Sequence, residues 1–276
     1  SLLKKHIPIQ TEQWDETRPG FLEADSVAHC GSSTAGEYVV TINMVDIATG
    51  WIEDRAVWGK TKEIAMNAIE SIEEALPFRM RGFDSDNGNE FINHALYAYF
   101  HRRKQPVRFT RSREYHKNDN AHVESKNWSI IRQYLGYERF DDIRMVALLN
   151  DLYQNEWRLL LNGFIPSFKL VAKERKGSQI IKSYDTPKTP LARVLESPDI
   201  PKYVKQRLKK LFKHQNPFTL AEAVSRKIKT IMQLVNPINE KDIPAANVAP
   251  KKSAKTYQSL KEVLDSLYPL LNQSHH

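Results

Sequence analysis

From Phe21 onward the chain switches between two hydrophobic rhythms. Phe21 to His29 (FLEADSVAH), Glu37 to Asp46 (EYVVTINMVD) and Trp51 to Trp58 (WIEDRAVW) are short runs rich in β-branched and aromatic residues. That composition suits a pleated, half-buried surface, so each run predicts a strand. Ala48-Thr49-Gly50 supplies turn chemistry between the second and third. Three strands on short connections predict an antiparallel meander. The period then lengthens: Ile64, Ala68, Ile69 and Ile72 recur at helical spacing. Thr61 stands where an N-cap belongs, Glu63 lies in the first turn, and Pro77 stops the helix near Leu76. Phe78 to Phe83 predicts a fourth strand, Glu90 to about Lys104 a helix, and Pro106 to Thr110 a fifth strand. A helix from about Asn120 to Leu135, capped by Asn118 or Asp119 and closed by Gly136, comes next. Another runs from about Ile143 to Leu161.

This order predicts a mixed α/β domain on about five strands. Residues 1–20 read as a polar lead-in and 21–165 as the α/β domain. Beyond it Pro187, Pro190, Pro198 and Pro201 punctuate a linker-like stretch, and Val204 to Phe212 and Leu220 to Val235 read as basic helices. Residues 166–236 are therefore expected to form a basic, mainly helical extension. Residues 237–256 predict a linker and Tyr257 to Leu271 a last amphipathic helix, so 237–276 is the terminal unit.

Composition narrows the class. A chain that is 41% hydrophobic and 27% charged reads as soluble and globular. No apolar run is long enough for a membrane span. The single cysteine, Cys30, excludes an intramolecular disulfide and a cysteine-based zinc site, and suits a reducing cytoplasm. Charge is unevenly spread. Residues 201–276 hold 14 Lys and Arg against 5 Asp and Glu, whereas the first 200 hold 27 against 28. A basic C-terminal quarter on a near-neutral body suggests a polyanionic partner, nucleic acid first.

Three carboxylates stand out. Asp25 lies inside the first strand among Leu22, Ala24 and Val27, where an unpaired charge is costly. Asp86 follows the fourth strand in Asp84-Ser85-Asp86-Asn87-Gly88, and Glu124 falls in the first turns of the helix after the fifth strand. If strands one and four are neighbours, Asp25 and Asp86 meet near the strand ends and the helix brings Glu124 to them. Oxygen donors so gathered suit paired Mg²⁺ ions acting on an in-line displacement at phosphorus.

Local motifs point to a family. Phe83 to Phe91 (FDSDNGNEF) closely resembles the second-aspartate motif of the retroviral-integrase-like transposases. Arg111 to Asn127 (RSREYHKNDNAHVESKN) resembles the third-carboxylate motif of the bacterial insertion-sequence transposases in that superfamily. Phe21 to Gly31 is similar to the first-aspartate strand, and Val45 to Trp51 to the hairpin turn that follows it. Carried over position by position, the catalytic and metal-holding residues are Asp25, Asp86 and Glu124. Sixty residues separate the first pair and 37 the second, slightly more than the family's usual spacing. Asp84 is the rival for the second position, but Asn87-Gly88 directly after Asp86 favours Asp86.

The resemblance covers about residues 19–165 and implies a ribonuclease-H-like fold, a mixed five-stranded sheet flanked by helices. It also implies two Mg²⁺ ions, with Mn²⁺ able to substitute, and DNA cleavage and strand transfer. The expected partners are transposon ends and target DNA, and a second copy of the chain or a larger multimer. The expected location is the bacterial nucleoid. The roughly 20 residues ahead of the first strand are too few for the helix-turn-helix region of such enzymes, so the chain is expected to be a piece of a longer protein. Arg111, Arg113 and Lys117 line the loop before Glu124, and Lys126, Asn127 and Arg132 extend its helix, all expected to face DNA. The tail cluster Lys202, Lys205, Arg207, Lys209, Lys210 and Lys213 is expected to follow a DNA backbone, and His122 to face DNA or brace the fold. Two other readings remain open: a nuclease of the same fold that does not join strands, and a non-catalytic DNA-binding assembly module.

Overall fold

A computed structural model describes residues 2–9, 16–113, 121–176 and 179–235. Its centre is a five-stranded sheet in the order β3-β2-β1-β4-β5. The strands are β1 (Phe21–Ala28), β2 (Val39–Asp46), β3 (Ile52–Trp58), β4 (Gly82–Ser85) and β5 (Arg108–Arg111). β1, β2 and β3 pair antiparallel as the meander predicts, while β4 joins β1 and β5 joins β4 in parallel. Three antiparallel strands followed by two parallel ones, with helices on both faces, is the ribonuclease-H-like arrangement.

Strand alternation divides the core in two. Leu22, Ala24, Val40, Ile42 and Met44 face α2 (Lys62–Ala75) and α3 (His94–His101). Val27, Val39, Val45, Ile52 and Ala56 face the other helical layer. That layer starts with α4 (Ala121–Lys126), a π-helical turn at Asn127–Arg132 and α5 (Gln133–Leu135). It continues through α6 (Arg144–Leu152), a second π turn at Tyr153–Trp157 and α7 (Arg158–Phe164). Gly136, at φ +70°, ends the first of these helical runs where the sequence places the stop. α1 (Leu2–His6) contributes Leu3 to the α2 and α3 side.

β3 is an edge strand, and its outward backbone groups are taken up by side-chain amides. Asn162 accepts from the Ile52 N–H and donates to the Ile52 carbonyl, both at 2.9 Å. Asn150 does the same at Ala56, at 2.9 and 2.8 Å. The Asp46–Trp51 turn is held by one carboxylate. Asp46 accepts from the Gly20 N–H at 2.7 Å, the Thr49 N–H at 2.9 Å and the Thr49 hydroxyl at 2.6 Å.

Several boundaries differ from the sequence reading. Thr61 caps α2 as expected, its side chain accepting from the Ile64 N–H. The fourth strand begins at Gly82 rather than Phe78, because the chain there closes onto Phe21: a Cβ on Gly82 would lie 2.2 Å from that ring. α3 begins at His94, since Asn93 turns its side chain back to accept from the Leu96 N–H. Two of the four prolines read as a linker, Pro190 and Pro201, stand at helix starts instead. Pro190 opens α8 (Pro190–Glu196) behind the Thr189 cap, Pro201 precedes α9 (Lys202–Phe212), and Pro217 opens α10 (Pro217–Val235). Proline is at home in the first turn, where its missing N–H has no intrahelical partner to lose.

The sequence reading also missed a hairpin, β6 (Leu170–Lys176) with β7 (Gln179–Tyr184). The described side chains of both strands are largely exposed, so no buried face impresses a period on them. α9 and α10 do not stand apart from the sheet. Val204, Leu208 and Phe212 join the α2 and α3 core, and Leu220, Val224, Ile228 and Ile231 join the other. The expected linker and helix beyond residue 236, and the Asn118 or Asp119 cap, lie outside the described residues. Among the described residues no helix is long and apolar enough to cross a membrane.

His29, at the end of β1, is fully buried, stacked on Phe140 with centroids 4.6 Å apart and bonded through Nε2 to the Thr41 hydroxyl at 2.9 Å. Burial, and then the charge of Arg132, push its pKa down from 6.5 to about 3. A histidine depressed by folding stabilises the protein fully above its unfolded pKa, and that stability is lost as pH falls from 6.5 toward 3. Between pH 7 and pH 5 the loss from this group is about 2 kcal/mol. Denaturant unfolding of the parent and of His29→Gln at both pH values is expected to differ by that amount. Parallel pH dependence of the two proteins would show that His29 is not held neutral.

Candidate active site

The parallel register of β1 and β4 pairs Leu22 with Phe83 and Ala24 with Ser85. One step further along both strands lie Asp25 and Asp86. This brings two aspartates, with 60 residues between them in sequence, to neighbouring positions where the β1–β4 ladder ends. Burial raises the Asp25 carboxyl to about 7, with Asp86 and then Glu124 adding repulsion; the Ser26 N–H and Lys60 oppose them. All three sequence-assigned carboxylates thus share one electrostatic environment. Asp86 is also raised, by burial first, while the Gly88 N–H, donating to its Oδ1 at 2.9 Å, opposes the shift. Glu124 is the exposed member, on α4.

Glu23 docks that helix. It lies two residues before Asp25, on the same strand face, and is buried. Its carboxylate accepts from the backbone N–H groups of His122 and Val123 at 2.9 and 3.0 Å and from His122 Nδ1 at 2.7 Å. A carboxylate bonded to the N–H groups of a helix's first turn satisfies donors that have no intrahelical partner. His122 therefore braces the fold here. Glu23 was not singled out in the sequence, although acids at i and i+2 of a strand share a face, which was the available signal.

Asp25 itself is held on both oxygens. Oδ1 accepts from the Ser26 N–H and Oδ2 from Asn127 Nδ2, each at 2.7 Å. Asn127 is buried, and its Oδ1 accepts from Asn43 Nδ2 at 2.7 Å. Its amide is engaged beneath the carboxylates rather than on the DNA-facing surface expected for it. It sits in a π turn, whose extra residue per turn re-aims side chains and which recurs at functional sites.

The other expected DNA contacts fall in different settings. Arg111 is half-buried and supports the Asp86 loop, donating to Asn87 Oδ1 at 3.0 Å and to the Ile7 carbonyl at 3.2 Å. Arg132 turns inward to the Ala28 carbonyl at 2.9 Å and lies over the Tyr137 ring. Lys126 is half-buried, and burial followed by the charge of Arg193 lowers its pKa to about 8. Arg113 is exposed, and Lys117 lies outside the described residues. Asp84, the rival to Asp86, is fully buried and accepts from the Thr110 hydroxyl on β5.

Two further residues join the site. Ser26 Oγ donates to Glu90 Oε1 at 2.9 Å, Lys60 Nζ donates to Ser26 Oγ at 3.0 Å, and Lys60 and Glu90 approach to 3.6 Å. Glu90 is the acid of the FDSDNGNEF motif. Lys60 had no signal beyond its place after the third strand.

The donors converging here are all oxygens, as a hard divalent ion requires, and their mutual repulsion is the kind a cation relieves. Among the described residues, no three His, Cys, Asp or Glu side chains stand close enough together to hold an ion as placed.

No family model matches the chain. It is 39% identical over 194 residues to the uncharacterized protein y4rM of Sinorhizobium fredii, an alignment covering 70% of this chain and 55% of that protein. Two solved structures overlap it at 14% identity. One is a simian T-cell lymphotropic virus intasome in complex with PP2A regulatory subunit B56 gamma, with a TM-score of 0.47 over 70% of this chain and 60% of that one. The other is the HTLV-2 integrase catalytic core domain in complex with magnesium, dimeric form, with a TM-score of 0.38 over 54% and 89%. The fold assignment rests on strand order and register rather than on these overlaps. The chain spans about half the length of the curated relative it matches.

Proposed function

We propose that this chain is the catalytic core of a DDE-type transposase, cutting DNA strands and joining the freed 3′-hydroxyl to target DNA. The reading is supported above all by one observation: Asp25 lies beside Asp86 and within electrostatic reach of Glu124. In this proposal Asp25, Asp86 and Glu124 would hold two Mg²⁺ ions, or Mn²⁺ in their place, and such ions would supply charge stabilisation for the attacking and leaving oxygens. Asn127 and the Ser26 N–H fix the orientation of Asp25, and Gly88 fixes Asp86. Lys60 and the exposed Arg113 supply positive charge for phosphates, and Lys117, which precedes Glu124 in the sequence, adds to it. The tail lysines of α9 follow the DNA backbone. Two copies or more act together, one at each DNA end.

The test uses a supercoiled plasmid and a pre-cut duplex ending in a 3′-hydroxyl. Nicking and joining in Mg²⁺ or Mn²⁺, both abolished by EDTA, are expected. Nicking without joining favours a nuclease of the same fold. DNA binding with neither reaction, and no Mn²⁺ uptake by calorimetry, overturns the enzymatic reading in favour of a binding module.

A further inference from the structure

The support beneath Asp25 continues across the sheet. Register pairs Asp25 with Asn43 on β2, and Asn43 with Asp54 on β3. Directly paired residues point to the same face, so the three form one row. The Asn43–Asp54 pair is of the non-hydrogen-bonded kind. Strand alternation fixes this from the outward backbone of Ile52 and Ala56 on either side of Asp54. In such pairs the side chains approach most closely. Asn127 bonds to both Asp25 and Asn43, and Trp157 Nε1 donates to Asp54 Oδ2 at 2.9 Å. Asn127 and Trp157 both come from π turns, which reach down to the row at its two ends.

Two buried atoms in this row have no hydrogen-bond partner among the described residues, Asn43 Oδ1 and Asp54 Oδ1. Both are acceptors as drawn, and buried acceptors left unsatisfied are costly. A single proton on Asp54 satisfies both at once. We propose that a protonated Asp54 donates a hydrogen bond to Asn43 Oδ1, and that this sets the direction of a hydrogen-bond chain, Asp54 to Asn43 to Asn127 to Asp25, which orients Asp25 toward the proposed metal site. Asp54 is thus a positioning residue, and the inference rests on the reading of Asp25 as a metal-holding carboxylate.

The direction follows from amide chemistry. An amide donates only through Nδ2 and accepts only through Oδ1. With Asp54 as the donor, every link of the chain is made. Turning both amides around would set Asn127 Oδ1 against the Asp25 carboxylate. That arrangement holds only with a proton on Asp25, and so competes with a cation there. The surroundings of Asp54 agree: burial pushes its carboxyl up to about 7, Trp157 opposes, Glu53 adds to the rise, and Arg55 opposes. The guanidinium that opposes the rise, that of Arg55, is engaged with the Asp54 carbonyl, Ser71 and Glu53.

Infrared spectroscopy at neutral pH, together with Mn²⁺ calorimetry on the full chain, tests the chain of bonds. Several carboxyls here are raised, so the parent is expected to show protonated carboxylic-acid absorption of which one component is lost in Asp54→Asn and kept in Asp25→Asn. Asp54→Asn restores the donor through its own Nδ2 and is expected to bind Mn²⁺ within about twofold of the parent. Asn43→Val breaks the chain and is expected to weaken Mn²⁺ binding about tenfold or more, the usual effect of losing an outer support of a metal ligand. A merely structural role would lower stability in Asn43→Val and leave Mn²⁺ affinity alone, which overturns the proposal. So does protonated-acid absorption that Asp54→Asn leaves unchanged, in the parent and in the Asp25→Asn background alike. Should Asn43→Val not fold, the infrared comparison decides alone. It requires no activity, so a protein with the expected band but no nicking removes the transposase reading and leaves the Asp54 proton standing.

Discussion

Asp25→Asn is expected to abolish divalent-ion-dependent strand cleavage, by on the order of a thousandfold, while DNA binding is kept. The magnitude follows from the several kcal/mol of charge stabilisation that metal ions supply to such a displacement, at 1.36 kcal/mol per tenfold. The substitution preserves shape, and it removes a charge that burial, Asp86 and Glu124 all disfavour. Stability without divalent ions should therefore change little: one lost acceptor, toward Ser26 or Asn127, is offset by relief of repulsion. Nicking rates in Mg²⁺, with thermal unfolding of the metal-free protein, separate a chemical loss from a folding loss. A variant that nicks within tenfold of the parent would remove Asp25 from the chemistry.

Phe83→Ala should produce the largest loss of stability. Phe83 is wholly buried on β4, with the rings of Phe100, Phe109 and Phe91 at 4.9, 5.4 and 6.1 Å. These rings join α3, β5 and the segment after the Asp86 loop to the strand that carries Asp84 and leads to Asp86. Truncating a buried phenylalanine costs about 3–5 kcal/mol, combining lost transfer free energy with the cavity left behind. For a chain of this length, that corresponds to a fall in midpoint of about 10 °C. Because β4 sets the place of Asp86, Mn²⁺ affinity should fall as well. A loss below about 1 kcal/mol in denaturant unfolding would mean that the four rings do not pack as a unit.

Much of this architecture could be read from the sequence because it is written locally. The β-branched runs of the meander, the Thr61 cap, the helical spacing of Ile64 to Ile72 and the Gly136 stop each act within a few residues, and each is in place. The three carboxylates were legible through their motifs, and the neighbouring of the first and fourth strands brings two of them together. Features that depend on register between strands were not legible. Nothing near Asp54 in sequence says that it faces Asn43, or that Asn43 faces Asp25. Glu23 looked like an ordinary strand acid until α4 was seen docked on it. Asn127 and Arg132 looked like a helix surface, but the π turn carries one beneath the carboxylates and the other against the end of β1. The prolines at 190 and 201 misled because the same residue that breaks a helix also begins one.

Asn150 and Asn162 carry a consequence for assembly. By occupying the outward backbone groups of Ile52 and Ala56, they leave no row of donors and acceptors for an incoming strand to zip onto. Copies of this chain cannot fuse their sheets across β3 without first pulling two asparagines out of place. A contact on this side of the sheet then has to be made through side chains, and is open to adjustment by substitution without disturbing the sheet that bears the carboxylates.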